Sequence, residues 1–161
     1  MLIFIDTEFT NFINTELISI GLVSEDDQKF YAELPIERKE CSDFVKEVVL
    51  PQLGKIKGAQ CTLDELNVRL RAWLEQFKMD DQPIDICYDS GHDWTLFFHA
   101  LNNEVPSWIR GVNIYPYVND LKQELFWEES KLDRHHALHD AIANRFAFVR
   151  ELAELDNWGT K

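Results

Sequence analysis

Cysteine is scarce in this chain of 161 residues: there are three, Cys41, Cys61 and Cys87, and they form no C-x-x-C pair. An odd number of widely spaced cysteines argues against a disulfide framework or a zinc site and is typical of reduced thiols in a cytoplasmic protein. The sequence has no apolar run long enough to cross a bilayer and no basic region ahead of an apolar one at the N-terminus. We therefore expect a cytoplasmic protein without a membrane segment.

Lysine and arginine are also few, 16 against 29 aspartates and glutamates, which gives a net charge of −13. This charge argues against a broad electrostatic platform for long nucleic-acid duplexes. It leaves room for an enzyme that holds a few nucleotides through metal ions and local donors, and it then favours short or single-stranded ends. The few glycines and prolines form no linker-like segment, and an apolar content of 45% suffices for one core. We expect a single domain over residues 1–161.

An apolar run at residues 2–9 ends in two carboxylates: Leu-Ile-Phe-Ile-Asp-Thr-Glu-Phe. A run that is apolar on both faces predicts a central strand of a sheet. Side chains at i and i+2 of a strand share a face, so Asp6 and Glu8 would project together. Two like charges at the end of a buried strand are costly unless a cation neutralises them, and oxygen ligands suit Mg²⁺ or Mn²⁺. The alternative is an ordinary strand end with solvated acids.

The rest of the chain alternates between strand and helix patterns. Further strands are predicted at residues 17–23, 29–34, 84–88 and 111–115, with a turn at 79–83. Helices are predicted at residues 44–50, 62–78, 93–101, 120–127 and 137–155, the second of them opened by a capping box of Thr62 and Glu65. Three strands with short connections indicate an antiparallel meander. The alternation that follows predicts an α/β fold, a mixed sheet with helices packed on it.

A second pair of carboxylates lies in the middle of the chain, where a predicted strand turns into a helix. Asp93 lies at or near the start of that helix, where a carboxylate caps free N–H groups and is favoured by the helix dipole. Asp89 follows the strand directly and is the rival candidate for a position facing a metal ion. The residues alone leave the choice between the two open.

A third cluster, at residues 133–141, reads Asp-Arg-His-His-Ala-Leu-His-Asp-Ala. His135 precedes the last predicted helix and Asp140 falls near its first turn, so the start of the helix can aim both side chains at one point. A histidine with an unperturbed pKa of about 6.5 can accept a proton at neutral pH. We expect His136 and His139 to be surface residues, as histidines on polar loops usually are. A His-rich cluster can also bind metal, but the spacing does not match a tetrahedral zinc motif.

Taken in order, these three motifs resemble the DEDD superfamily of 3′→5′ exonucleases. The resemblance rests on Ile-Asp-Thr-Glu-Phe at residues 5–9, an aspartate at a strand-to-helix junction, and His135-x-Ala-x-x-Asp140-Ala. The step from His135 to Asp140 resembles the branch with a catalytic histidine, DEDDh, which includes proofreading exonuclease subunits, RNase T and oligoribonuclease. The opening sequence and the small size are most similar to the small 3′→5′ exoribonuclease family first described in mycobacteria.

The resemblance implies an RNase H-like fold with a five-stranded mixed sheet flanked by helices. It implies that Asp6, Glu8, Asp93 and Asp140 hold two divalent cations, Mg²⁺ or Mn²⁺, and that His135 is the general base. Asp93 is matched because it is followed by Trp-Thr-Leu-Phe, an apolar helical turn.

The family's usual Asn and Phe before the middle aspartate are missing from this sequence. Ser90, Gly91 and His92 stand in their place, so Asp89 remains the alternative ligand to Asp93.

The resemblance also implies a nucleic-acid substrate, single-stranded RNA 3′ ends or DNA, and a homodimer. Thr7, Phe9 and Phe12 are the candidate substrate contacts, because they lie in or just after the first motif and aromatic rings stack on the bases of single strands. The alternative is that both rings serve packing. Two other functions stay open: a DNA exonuclease of the proofreading or repair type, and a non-catalytic interaction module with a nuclease-like fold.

Overall fold

The predicted central strand, β1 (Leu2–Phe9), lies in the middle of a five-stranded sheet in the computed structural model, which describes residues 1–79 and 82–156. The other strands are β2 (Leu17–Ser24), β3 (Lys29–Glu33), β4 (Ile84–Tyr88) and β5 (Ile109–Asn113). Their order is β3-β2-β1-β4-β5, with β1, β2 and β3 antiparallel and β4 and β5 parallel to β1. The predicted meander and mixed sheet are confirmed.

Five α-helices are present in the described residues: α1 (Leu63–Glu75), α2 (Gly91–Ala100), α3 (Asp120–Ser130), α4 (Ala137–Ala147) and α5 (Arg150–Leu155). Short 3₁₀ turns lie at Arg38–Glu40, Leu50–Gln52 and Tyr115–Tyr117, and a π-helical segment at Val45–Val49. The capping box of Thr62 and Glu65 is confirmed, with both reciprocal hydrogen bonds formed. The predicted helix at 44–50 is thus mostly π-helical, and residues 80 and 81 of the predicted turn lie outside the described residues.

The side chains of β1 alternate between two cores on opposite faces of the sheet. Ile3 and Ile5 belong to the larger core, which includes buried leucines of α1 and Phe97 of α2. Phe4 belongs to the opposite core with Ala141 of α4. By the same alternation, Asp6 and Glu8 follow Phe4 on the face that α4 covers. The strand therefore delivers both acids to the start of α4.

The start of α4 lies directly on β2 at Gly21, the residue that pairs with Asp6 in the sheet. A Cβ at Gly21 would overlap the backbone of Ala137 and Leu138. Because Gly21 has no side chain, the start of α4 can lie directly on the backbone of β2. This contact places the first turn of α4 beside the acids of β1.

The single helix predicted at residues 137–155 is wrong, because the chain leaves the helical conformation between α4 and α5. Phe148 is extended, with φ −62° and ψ 132°, and its ring packs edge-on against Phe4 at 5.5 Å. The N–H of Val149 donates to the carbonyl of Tyr117 at 2.8 Å. Tertiary contacts therefore interrupt a helical pattern that runs on in the sequence.

Within the part of the chain that the structure describes, no helix has both the length and the apolar character to cross a membrane. The three cysteines, Cys41, Cys61 and Cys87, are free thiols.

Candidate active site

Carboxylates from four segments of the chain converge at the end of β1. Oxygen atoms of Asp6, Glu8 and Asp140 lie within 4.8 Å of one another, and so do those of Asp6, Asp89 and Asp93. Asp6 belongs to both groups, so it lies at the centre of the cluster. The structure thus brings together all four predicted carboxylates and the rival candidate as well.

Asp93 is held by hydrogen bonds from both sides. Its Oδ1 accepts from the backbone N–H of Thr7 at 3.0 Å and from the Thr7 hydroxyl at 2.6 Å. Its Oδ2 accepts from the N–H of Ser90 at 3.3 Å, which completes a capping box at the start of α2. Thr7, predicted as a substrate contact, is buried and engaged with Asp93. The helix cap predicted for Asp93 is confirmed.

Asp89 and Asp93 differ in their access to solvent. Asp93 is 2% exposed, whereas Asp89 lines an open cleft of about 220 Å³. The full lining of this cleft is Asp6, Thr7, Glu8, Asp89, Gln123, His135, Asp140 and Asn144. Both aspartates lie near Asp6, so the geometry keeps both as ligand candidates.

Asp140 lies in the first turn of α4, as predicted. Its Oδ2 accepts from the backbone N–H of His136 at 2.9 Å, so the side chain caps its own helix and is fixed in direction. Leu138 and Ala141 pack inward on either side of it. The sharp turn into α4 therefore turns Asp140 towards the acids of β1.

The four carboxyl groups all have raised pKa values. Burial, followed by the charges of Asp93 and Asp140, raises the pKa of Asp6 well above its usual range. Burial and the charge of Asp140 raise the pKa of Glu8 to about 8. Burial raises the pKa values of Asp93 and Asp140 to about 7, in spite of the hydrogen bonds that each accepts. The cluster therefore resists full ionisation on its own.

This donor set fits hard divalent cations. It offers carboxylate oxygens alone, close together, with repulsion that a positive charge would relieve. Neither group of three contains a histidine or cysteine ligand, which matches Mg²⁺ or Mn²⁺ and not zinc. Asp6, Glu8, Asp140 and either Asp93 or Asp89 are the residues that could hold such ions.

His135, the predicted general base, is the histidine that lines the same cleft. Its backbone has a positive φ of 60°, which non-glycine residues adopt rarely. Its ring lies edge-on to Phe44 at 4.9 Å. Partial burial, with the neighbouring Arg134 charge, lowers the pKa of His135, so at neutral pH its ring is free to accept a proton.

The prediction of a surface position is wrong for His136, which is buried. Its ring stacks on Tyr31 at 4.5 Å and on His139 at 4.0 Å. Burial, followed by the charge of His139, lowers its pKa to about 4. Tyr31 lies on β3, distant in sequence, so nothing local to His136 indicates this stacking partner.

An aromatic cluster lies beside the acids, at the end of β1. The rings of Phe9 and His92 stack at 5.2 Å, and Phe12 meets both edge-on at 5.2 and 5.4 Å. Phe12 is 78% exposed. His92 was not predicted as part of the site, but its ring is part of this cluster.

Two amide side chains that the sequence reasoning missed form another wall of the cleft. Gln123 of α3 donates from Nε2 to Oδ1 of Asn144 at 2.8 Å, and both line the cleft. Asn144 is one helical turn after Asp140, so the spacing indicates that the two side chains share a face of α4.

Arg145, the next residue, has a structural role. Its guanidinium donates to the carbonyls of Ser24 and Glu25 and pairs with Asp27.

The raised pKa values predict that the metal-free protein loses stability as the pH rises. Ordinary carboxyl pKa values of about 4 hold in the unfolded chain, so the folded state binds more protons between about pH 4 and pH 8. Its stabilisation is complete below that window and is lost as the pH passes through the raised values of 7 to 8. The neutral, buried His136, with a pKa of about 4, acts in the opposite direction below about pH 6.5, but it is one group against four carboxyl groups. In EDTA we therefore expect a Tm about 5–10 °C lower at pH 8 than at pH 5.

Calorimetric or fluorescence melts in EDTA check this, with Mn²⁺ added in parallel. Mn²⁺ should raise the Tm more at pH 8 than at pH 5, because the ligands must lose their protons to bind it. A Tm that is flat from pH 5 to pH 8 in EDTA would contradict the proposed repulsion.

No protein-family model matches the chain, and no curated protein matches it. Solved structures do match. The nuclease domain of 3′hExo, a DEDDh family member bound to rAMP, is 14% identical with a TM-score of 0.56, over 98% of this chain and 92% of that one. Cell-death related nuclease 4 (CRN-4) is 17% identical with a TM-score of 0.60, over 98% and 64%.

A 3′-exonuclease in a structure of 3′-end-specific recognition of a histone mRNA stem-loop is 16% identical with a TM-score of 0.59, over 95% of this chain and 63% of that one. The chain thus spans less than two thirds of the length of this structure and of CRN-4. These likenesses establish architecture, since the identities are low. The described residues have the exonuclease fold, of RNase H-like type, with the five-stranded mixed sheet and flanking helices that the sequence predicted.

Proposed function

We propose that the protein is a metal-dependent 3′→5′ exonuclease that removes nucleotides from the 3′ ends of RNA or of short single-stranded oligonucleotides. The observation that carries the proposal is the meeting of Asp6, Glu8, Asp89 and Asp140 with His135 in one cleft. The buried Asp93 lies within reach of Asp6 and Asp89. Support for RNA comes from neighbours of the same fold whose structures contain rAMP or recognise an mRNA stem-loop.

The proposed ligand assignment follows the two groups of three carboxylates. Asp6, Glu8 and Asp140 would hold one cation, and Asp6 with Asp93 a second, with Asp89 in reach of the same point. When bound, such ions lower the pKa of the attacking water and neutralise charge at the leaving oxygen. The carboxylates fix the place of attack, and Thr7 and Ser90 hold Asp93 in its orientation.

His135 is proposed as the general base. It would take the proton of the attacking water while the phosphodiester bond to the 3′ oxygen of the preceding nucleotide breaks. Its lowered pKa keeps the imidazole neutral at pH 7, the form that can accept the proton. Its place on the loop before α4 makes His135 part of the lining of the cleft that holds the acids.

The proposed function is tested with RNA and DNA oligomers labelled at the 3′ or the 5′ end, in Mg²⁺ or Mn²⁺ and in EDTA. We expect stepwise shortening of 5′-labelled strands and immediate release of the 3′ label as mononucleotide, in metal only. Activity that persists in EDTA, or an internal cleavage pattern, would reject the proposal. Faster DNA cleavage would move the substrate class to DNA. Comparing Asp89→Asn with Asp93→Asn identifies the middle ligand.

The aromatic cluster is proposed to stack on the terminal bases. The exposed ring of Phe12, edge-on to Phe9 and His92, offers a face that a base can cover. Stacking contributes about 1–3 kcal/mol per base, so Phe12→Ala should raise KM for a short single strand about tenfold. Steady-state kinetics measure this, with Tyr115→Ala, another exposed aromatic, as the matched control. An unchanged KM in Phe12→Ala would count against stacking.

The homodimer and the cytoplasmic location implied above stay predictions. So does membership of the family first described in mycobacteria. The single domain over residues 1–161 is likewise proposed, since residues 80, 81 and 157–161 lie outside the described structure.

A further inference from the structure

Gln52 is a buried amide far in sequence from the three motifs, and its side chain reaches the loop that carries His135. Its Nε2 donates to the carbonyl of Arg134 at 2.7 Å and to that of His135 at 3.0 Å. The same nitrogen lies 3.2 Å from the carbonyl of Val48. Gln52 is 8% exposed, so these contacts are shielded from water. One amide thus holds two successive carbonyls of the loop.

The chemistry of the contacts fixes how this amide is oriented. Three carbonyl oxygens surround Nε2, and the flipped amide would turn its own oxygen against all three. The opposite end, Oε1, is buried and has no hydrogen-bond partner among the described residues. A buried acceptor left unpaired is unfavourable. The stabilising contacts of the Gln52 side chain are therefore those that Nε2 donates.

The loop needs such a donor because of its backbone. His135 has a φ of 60°, a left-handed conformation that costs free energy in a histidine and persists only where neighbours hold it. Directly after it, the N–H of His136 is taken by Asp140 at 2.9 Å. Gln52 holds the carbonyl side of the turn and Asp140 the amide side. The ring of His135 then meets Phe44, from the same segment as Gln52.

We propose that Gln52 is a positioning residue for His135: it holds the left-handed turn that places His135 in the lining of the acidic cleft. This inference rests on the proposed function only for its effect on catalysis; the effect on the orientation of His135 does not depend on activity. Gln52 belongs neither to the carboxylate cluster nor to the cleft lining, and it contacts that lining through the backbone carbonyl of His135. It acts through the backbone of the loop.

The kinetic test is a double-mutant cycle between Gln52→Met and His135→Ala. Methionine has a similar length and no donor. We expect Gln52→Met alone to lower kcat about tenfold to a hundredfold, as small misplacements of a catalytic group do, with little change in KM. In the His135→Ala background it should lower kcat no further. An equal loss in both backgrounds, or wild-type kcat in Gln52→Met, would overturn the proposal.

Matched controls separate positioning from general destabilisation. Gln76→Met removes another amide that donates to a backbone carbonyl, that of Ala72 on α1, away from the cleft, and should leave kcat unchanged. If Gln52→Met fails to fold by circular dichroism, Gln52→Asn replaces it in the cycle, since its shorter amide cannot reach both carbonyls. An additive loss with Gln52→Asn overturns the proposal equally.

A readout independent of activity is the histidine ring region of the ¹H–¹³C NMR spectrum, with His135 assigned from the His135→Ala variant. We expect Gln52→Met to shift or broaden the His135 resonances and Gln76→Met to leave them in place. Unchanged His135 resonances in folded Gln52→Met would refute the positioning role even in an active protein. If the wild-type protein proves inactive but Gln52→Met still shifts the His135 resonances, the positioning role of Gln52 stands and only the proposed function is rejected.

Discussion

Asp6→Asn is expected to lower exonuclease activity by about a thousandfold or more, equivalent to about 4 kcal/mol of barrier. Asp6 belongs to both groups of carboxylates that could hold a cation, so this one change weakens both sites together. Glu8, Asp140 and Asp93 each belong to a single group. Single-turnover assays on a 5′-labelled oligomer at saturating Mn²⁺ measure the effect, and isothermal titration of Mn²⁺ measures the loss of metal affinity.

The same substitution should stabilise the metal-free protein. The pKa of Asp6 is raised by burial and by the charges of its neighbours, so its ionised form opposes folding above the ordinary carboxyl range. An amide removes that charge. In EDTA at pH 8 we expect a higher Tm for Asp6→Asn than for wild type, whereas Asp26→Asn, at an exposed turn, should change neither Tm nor activity. An active Asp6→Asn variant would exclude the proposed metal centre.

Gly21→Ala should destabilise the fold strongly although it adds only one methyl group. The added Cβ would overlap backbone atoms of Ala137 and Leu138, which cannot move aside as a side chain can. We expect a loss of about 3 kcal/mol or more and a Tm lower by about 10 °C. Activity should fall too, because any shift of α4 moves Asp140 away from Asp6.

Urea unfolding followed by fluorescence measures the loss. Gly91→Ala is the matched control: a Cβ at Gly91 meets nothing within 4 Å, and alanine is the better helix former at the start of α2. We expect that variant to be as stable as wild type or slightly more so. A Gly21→Ala protein with wild-type stability would show that α4 does not rest on the sheet at this point.

The elements that the sequence predicted best are those in which local pattern and tertiary contact agree. The run at residues 2–9 is apolar at every position before the acids, and it forms β1 between β2 and β4. The capping box of Thr62 and Glu65 needs only local geometry, and it forms as predicted. The two-residue period of the same strand also predicts that Asp6 and Glu8 lie on one face of the sheet.

Local pattern fails where distant contacts decide the outcome. No glycine or proline marks the break at Phe148, which leaves the helix to pack against Phe4. The local sequence predicts a surface position for His136, but its ring is buried by stacking on Tyr31. Gln52 lies outside every predicted helix and strand, and its partners are two carbonyls far along the chain. Backbone carbonyls have no residue type, so no motif can reveal such a contact.

The distribution of the cleft residues along the chain has a consequence for synthesis. Asp6 leaves the ribosome with the first strand, whereas His135 and Asp140 arrive with the loop before α4 and its first turn. If the proposed function is correct, a nascent chain that has formed only the β1–β2–β3 meander lacks His135 and Asp140 and cannot yet hydrolyse RNA. Hydrolysis then becomes possible only when the start of α4 docks on β2 at Gly21 and brings Asp140 to Asp6.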